Sequence, residues 1–390
     1  MHKKVIVTGT LGQDGANMCD FLLKKGNIKV FGMIRRSANP NYINCEAFIN
    51  HPNFQFVYGD LIDLVSINKL VQDIQPDYFI NFAANSFVGC SWDMPMQVFD
   101  TNAIGVMRCL ESIRKFKPNC RFYSAGSSEE FGNVDYSPQD IHHPIKPRSP
   151  YGASKASARH IVKVYRESYG MFAIHGILFN HEGIKRGEEF VTRKISKGVA
   201  EICHAISRKK PFVPIELGNL DSKRDWSDSE DFVAGIWAML NQEEYNQKLK
   251  KDYQDALYSI VLNGSKEEHE QWETKWLSSR AREYVLSSGE THSIREFVEK
   301  AFLAAGIEGF WRHEGTDEKY FLTNYVREEH PDLQGTLVKI NPKFYRPAEV
   351  DLLLGDSSPI REDLNWAPRT SFDQLVEKMV KYDISLLEKT

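Results

Sequence analysis

Six cysteines, at positions 19, 45, 90, 109, 120 and 203, are scattered through 390 residues without CxxC or CxxxC spacing. That spacing excludes a thiolate zinc cluster and a disulfide framework, and leaves reduced core residues as the expectation. Twelve histidines show no HxxxH or HExxH pair, so no metal is expected. The chain lacks an 18-residue apolar run, and no membrane span is expected. Excess positive charge is missing too: 49 Lys and Arg stand against 53 Asp and Glu, a net charge of −4. That balance argues against a general nucleic-acid binder. No signal-peptide pattern precedes the first strand-like run, which makes the cytoplasm the expected compartment. Repeats and low-complexity tracts are absent as well, leaving a chain of enzyme length with room for two lobes.

What is present begins with glycine. Val5-Ile-Val7 reads as a short buried strand; Gly9, Gly12 and Gly15 follow at once, with Gln13 and Asp14 between them. Ala16 to Lys25 then reads as a helix carrying Phe21, Leu22 and Leu23. In that context the glycines let backbone N–H groups and a helix N-terminus approach a pyrophosphate. The next strand, Ile28 to Ile34, selects the cofactor. A site for NAD usually closes it with an acid for the ribose 2′-hydroxyl, about 20 residues past the glycines. Arg35, Arg36 and Ser37 stand there instead. Two guanidiniums and a hydroxyl suit a 2′-phosphate, so the expected cofactor is NADP.

A second cluster supplies proton-transfer groups. Tyr123 to Gly132 contains Ser127 and Glu129, and Tyr151-Gly-Ala-Ser-Lys155 follows. Tyr151 and Lys155 are four apart, which on a helix puts both on one face. A free tyrosine titrates near about 10, too high for a base at neutral pH, and a fixed ammonium nearby favours the phenolate. Ser127 can hold a substrate hydroxyl against that phenol while hydride leaves the carbon. An isolated Tyr–Lys pair would more often be a surface pair; the glycine turn upstream changes the weighing.

Strand-like runs at Phe54–Tyr58, Tyr78–Phe82, Arg121–Ser124 and Ile174–Phe179 alternate with helical patterns at Leu64–Ile74, Asp100–Phe116 and Ser154–Tyr169. The expected fold class is α/β: a Rossmann-type doubly wound parallel sheet with a smaller α/β substrate-binding lobe. Residues 1–180 form the expected cofactor domain, re-entered by about 224–245 and 284–290. Residues 181–223 and 291–390 form the expected substrate-binding lobe. Segments following the strands should converge on one crevice.

With these pieces assembled, the chain resembles the extended short-chain dehydrogenase/reductases, and among them the GDP-mannose 4,6-dehydratase family. Glycines spaced as GxxGxxG occur in that superfamily. The resemblance rests on Gly12-Gln-Asp-Gly15, Arg35-Arg-Ser37, Tyr58-Gly-Asp-Leu61, Pro147-Arg-Ser-Pro-Tyr151 and Tyr165-Arg-Glu-Ser-Tyr-Gly-Met171. It continues through Gly176-Ile-Leu-Phe-Asn-His-Glu182, Arg186-Gly-Glu188, Phe190-Val-Thr-Arg-Lys-Ile195, Leu217-Gly-Asn219, Arg224-Asp-Trp226 and Arg346-Pro-Ala-Glu349. It implies a GDP-linked sugar as substrate and an internal hydride transfer from C4 to NADP and back to C6. Tyr151 would take the O4 proton, Lys155 would lower the pKa of Tyr151 and hold the nicotinamide ribose, and Glu129 would act at C5 and C6. By the same match Asp60 and Leu61 would flank the adenine, and Ala83, Ala84 and Ser86 would lie along the cofactor or sugar. Asn180, Lys194, Arg224, Arg346 and Glu349 would line the GDP-sugar site. A homotetramer is implied, with a dimer as the alternative, because in the family the paired-arginine loop packs against a neighbouring subunit's cofactor site.

Three features depart from the family. Ser127 replaces the usual threonine, and Gly126 a small hydroxyl residue. Glu130 replaces a leucine; it either crowds the catalytic carboxylate or points away, and the second is expected. Residues 246–282 form an insertion; from Tyr245 at its edge, apolar positions recur every four residues at Leu249, Tyr253 and Leu257, with Trp272 and Trp276 beyond, an expected peripheral helix pair. The altered wall near C6 makes a GDP-linked manno-heptose the alternative substrate. A C4 dehydrogenase or epimerase would have no use for Glu129, and a non-catalytic cofactor binder no use for the whole set.

Overall fold

Val5, Ile6 and Val7 are fully buried, yet they face opposite ways. Val5 and Val7 join one apolar cluster and Ile6 another. A strand covered on both faces reads as an unbroken apolar run, as a parallel sheet between helix layers requires. The computed structural model describes residues 2–263, 280–323, 335–344 and 352–388. Strands β1 (Lys3–Thr8), β2 (Ile28–Ile34), β3 (Phe54–Tyr58), β4 (Tyr78–Asn81), β5 (Arg121–Ala125) and β6 (Ala173–Leu178) pair in parallel, in the order β6-β5-β4-β1-β2-β3. Strand Val285–Leu286 adds a seventh place beside β6, also parallel. Helices α1 (Gln13–Leu23), α2 (Leu64–Ile74), α3 (Pro95–Phe99), α4 (Gly105–Phe116) and α5 (Pro150–Tyr169) fall between the strands. The strand order reverses between β1 and β4, the point at which such sheets open a ligand crevice.

The helix ends follow from local chemistry. Asp63 caps α2 by accepting from the Val65 N–H at 3.0 Å. Ser149 caps α5 by accepting from Gly152 N–H at 3.0 Å, with Pro150 in the first turn and Gly170 closing the helix at φ +61°.

The smaller lobe packs helix Val191–Ser207 against helices Ile294–Ala304 and Phe372–Glu388, over a core containing Val199, Phe297, Leu337 and Met379. Its four-stranded sheet takes Ile215–Leu217 and Thr336–Ile340, with a hairpin of Gly309–Arg312 and Lys319–Leu322. One detail differs from the boundaries expected. Ile360, Leu364 and Trp366 pack in the large lobe's core with Phe232 and Trp237, so that lobe is closed by chain from beyond residue 291. Of the insertion, helix Gln247–Asn263 lies within the described residues, and Leu249 is buried on it. The side chains of Tyr253 and Leu257 lie outside the described residues, as do Trp272 and Trp276.

Candidate active site

Strands β1 to β6 deliver their following loops to one cleft of about 1380 Å³ between the lobes. The glycine turn leaves β1: Gly9 takes φ +66°, and a Cβ there would come within 2.9 Å of the Ala83 nitrogen. A Cβ on Gly15 would collide with the Gly9 carbonyl, so both positions need glycine. Gly12, Gln13 and Asp14 complete the turn and line the cleft. Thr8 Oγ1 ties the neighbouring wall, donating to Asn81 Oδ1 at 2.6 Å and accepting from Ala83 N–H at 3.0 Å.

Each expected cofactor residue lines this cleft. Arg35, Arg36 and Ser37 follow β2 and are exposed; Asp60 and Leu61 follow β3; Ala83 and Ala84 follow β4. Ser86 and Asn180 line the same cleft from the large lobe, Lys194 from the smaller one, and Arg224 from the strand Lys223–Arg224. Lys194 lies 3.5 Å over the Phe344 ring, and burial lowers its pKa. Arg346 and Glu349 lie outside the described residues.

The proton-transfer groups sit where β5 ends and α5 begins. The Ser127 hydroxyl hydrogen-bonds Tyr151, and it also accepts from the Glu129 N–H at 3.3 Å, capping the single turn Ser128–Glu130. A tight turn of three residues per revolution sends adjacent side chains about 120° apart. Glu129 therefore lines the cleft, half-buried, while Glu130 goes fully inside. Lys155 donates to the Ala125 carbonyl at 2.7 Å, and its Nζ stands 5.9 Å from the Tyr151 ring centre. Burial lowers Lys155 to about 8, opposed by Glu130 and Asp14. Tyr151 moves the other way from the expectation. Its burial pushes the phenol up, and the Ser127 hydrogen bond offsets this only in part. Lowering that pKa requires further positive charge at the cleft.

Two groups that line the cleft had no role assigned from sequence. His181 Nδ1 donates to the Phe179 carbonyl at 2.7 Å, and Nε2 to Asp14 at 2.9 Å. Both ring nitrogens face acceptors: burial opposes the charged form, but Asp14 outweighs it and the pKa rises. Arg186 pairs with Glu182 at 2.9 Å and stacks 3.6 Å over Phe190. Both belong to segments singled out by resemblance, and their charge was the signal available. Among the described residues no group of three or more His, Cys, Asp or Glu could hold a metal ion, and no helix is long and apolar enough to cross a membrane.

Known proteins resemble this chain in sequence and in fold. The family model described as GDP-mannose 4,6 dehydratase matches residues 6–260 and 266–379. The GDP-mannose 4,6 dehydratase of Drosophila melanogaster is 39% identical over 99% of this chain and 87% of its own length. Among solved structures, the dTDP-glucose 4,6-dehydratase of Bacillus anthracis in complex with NAD has a TM-score of 0.68 at 18% identity, covering 100% of this chain and 97% of that one. RMD from Pseudomonas aeruginosa complexed with NADPH has a TM-score of 0.67 at 17% identity, covering 98% and 99%. The likeness to these two structures establishes the fold, and the sequence match establishes the kinship: the chain belongs to the GDP-mannose 4,6-dehydratase family.

Proposed function

We propose that the protein is an NADP-dependent 4,6-dehydratase of a GDP-linked sugar, converting GDP-D-mannose to GDP-4-keto-6-deoxy-D-mannose. The observation that carries this is Glu129, on one cleft wall with Ser127, Tyr151 and Lys155. A C4 oxidation or epimerisation uses the last three; only removal of water across C5 and C6 needs another carboxylate there.

The glycine turn, too tight for a Cβ at Gly9 or Gly15, fits a pyrophosphate, and Arg35, Arg36 and Ser37 fit a 2′-phosphate. Relatives by fold carry either NAD or NADPH, so the choice of NADP rests on those three residues. Bound there, NADP supplies the hydride acceptor for C4, the hydride donor for C6 and a positive ring that favours a phenolate. Ser127 holds the sugar O4, and Tyr151 takes its proton. Lys155 keeps positive charge beside the phenol and holds a ribose hydroxyl. The C4 ketone makes the C5 proton acidic; Glu129 removes it and passes it to the C6 hydroxyl, which leaves as water. Hydride return to C6 leaves C5 to take the proton held by Tyr151, so protons and hydride balance and the cofactor ends as it began. Asp60 and Leu61 would flank the adenine; Ala83, Ala84 and Ser86 would border the nicotinamide and sugar. Asn180, Lys194, Arg224, Arg346 and Glu349 would take the GDP end. The exposed Arg35–Ser37 loop supports a homotetramer in which it meets a neighbour.

Incubation with GDP-mannose and, separately, with GDP-manno-heptose, without added NADPH, tests the reading by mass spectrometry. Loss of water from GDP-mannose supports it. Loss from the heptose alone moves the substrate to the longer sugar, and C4 oxidation without water loss removes Glu129 from its role.

A further inference from the structure

Glu130 replaces an expected apolar side chain, and it is fully buried beneath the catalytic turn. Its Oε1 accepts from the Ser127 N–H at 2.8 Å and from His175 Nε2 at 2.9 Å. His175 lies on β6, equally buried; a carboxylate can only accept, so Nε2 is the protonated nitrogen. The second oxygen of Glu130 and His175 Nδ1 have no hydrogen-bond partner among the described residues. Gly126 belongs to the same device, because a Cβ at that position would collide with His175 Nε2 and the Gly176 carbonyl. Three residues, two from the segment after β5 and one from β6, thus fit one another: a carboxylate, its donor and the gap that admits the donor.

A buried carboxylate is costly unless something uses its charge and acceptors. The titratable groups that feel Glu130 are His175 on β6, Tyr123 on β5, and Tyr151, Lys155 and Arg159 on α5. Asp14 on α1 acts on Tyr123 and Lys155 from the other side. Glu130 is the first of the charges opposing loss of the Lys155 proton.

We propose that Glu130, seated by His175, is a positioning residue: it fixes Ser127 by its backbone and supplies the buried negative charge that keeps Lys155 an ammonium beside Tyr151. The inference rests on the dehydratase reading of the cleft. Its distinctive mark is on the pH axis. Removing the charge while keeping the shape takes support from the Lys155 ammonium and repulsion from the Tyr151 phenolate. Both limbs of the rate profile then slide to lower pH together, which loss of packing would not cause.

The test uses the full-length protein and the variants Glu130→Gln, Glu130→Leu and His175→Asn. Competitive acetylation of Lys155, read by mass spectrometry across pH, needs no sugar. Its midpoint should fall below the wild-type value in Glu130→Gln. With GDP-mannose, that variant should lose roughly tenfold in kcat with KM changed less than about threefold, and its bell-shaped profile should move to lower pH. Glu130→Leu should lose roughly a hundredfold, and His175→Asn should fall between the two. A wild-type labelling midpoint and an unmoved profile in Glu130→Gln would overturn the inference, even if Glu130→Leu fails to fold. A wild-type protein that dehydrates neither sugar overturns the dehydratase reading instead, and the labelling result still decides the role of Glu130.

Discussion

Tyr151 holds a proton that burial makes hard to remove, with Ser127 as its hydrogen-bond partner. Replacing it by phenylalanine keeps the packing and deletes the base, so kcat should fall about 10³-fold with little change in melting temperature. Glu129→Gln should fail differently. It should reduce the cofactor and oxidise C4 but release no water, seen as reduced-nicotinamide absorbance with no loss of product mass. A variant that still dehydrates at the wild-type rate would falsify the assignment. At this scale the sequence was legible where spacing fixes geometry: Tyr151 and Lys155 share a helix face, and Ser127 precedes them on one strand end. It was less legible where burial decides. The phenol's upward shift depends on how deeply α5 is covered. Residue spacing does not reveal that depth.

At the scale of elements, α5 starts where Ser149 caps it and Pro150 opens its first turn. Ser149→Ala should cost about 1 kcal/mol in denaturant melts and lower kcat more than that loss explains, since Tyr151 sits in the uncapped turn. The Asp14–His181 pair joins α1 to the chain after β6, across the cofactor mouth. Its pH window follows from the two shifts. His181 is raised, so its contribution is present below its unfolded value of about 6.5 and is lost as pH climbs through the folded one. Asp14 is lowered, so its contribution is present above about 3.9 and is lost as pH falls through the folded value. Hydrogen exchange at the glycine turn should therefore be slowest between those limits, and His181→Gln should flatten the dependence. Elements of the large sheet could be read ahead because βαβ units announce themselves by continuous apolar strands and amphipathic helices. The smaller lobe hides its order in strands of two residues, Lys223–Arg224, His292–Ser293 and Leu352–Leu353, which pair across long stretches of chain and leave no period.

For the molecule as a whole, the proposals for cofactor choice and for assembly both turn on the exposed loop after β2. Arg35→Ala with Arg36→Ala should weaken NADP binding by about 10- to 100-fold and leave NAD within about threefold, measured by calorimetry at fixed salt. The same double variant should shift the sedimenting species from tetramer to dimer if the loop meets a neighbour. An unchanged NADP affinity would return those arginines to the solvated surface.

The seventh strand has a consequence for biosynthesis. Val285–Leu286 closes the β6 edge, yet it leaves the ribosome about a hundred residues after β6. At 5–20 residues per second that is roughly 5–20 s during which β6 presents unpaired backbone to other nascent chains. Trp366, which helps cap the same core, comes later still. Chaperone engagement during synthesis should therefore concentrate between the emergence of β6 and that of Leu286, and a ribosome stalled in that interval should carry the most aggregation-prone form of this chain.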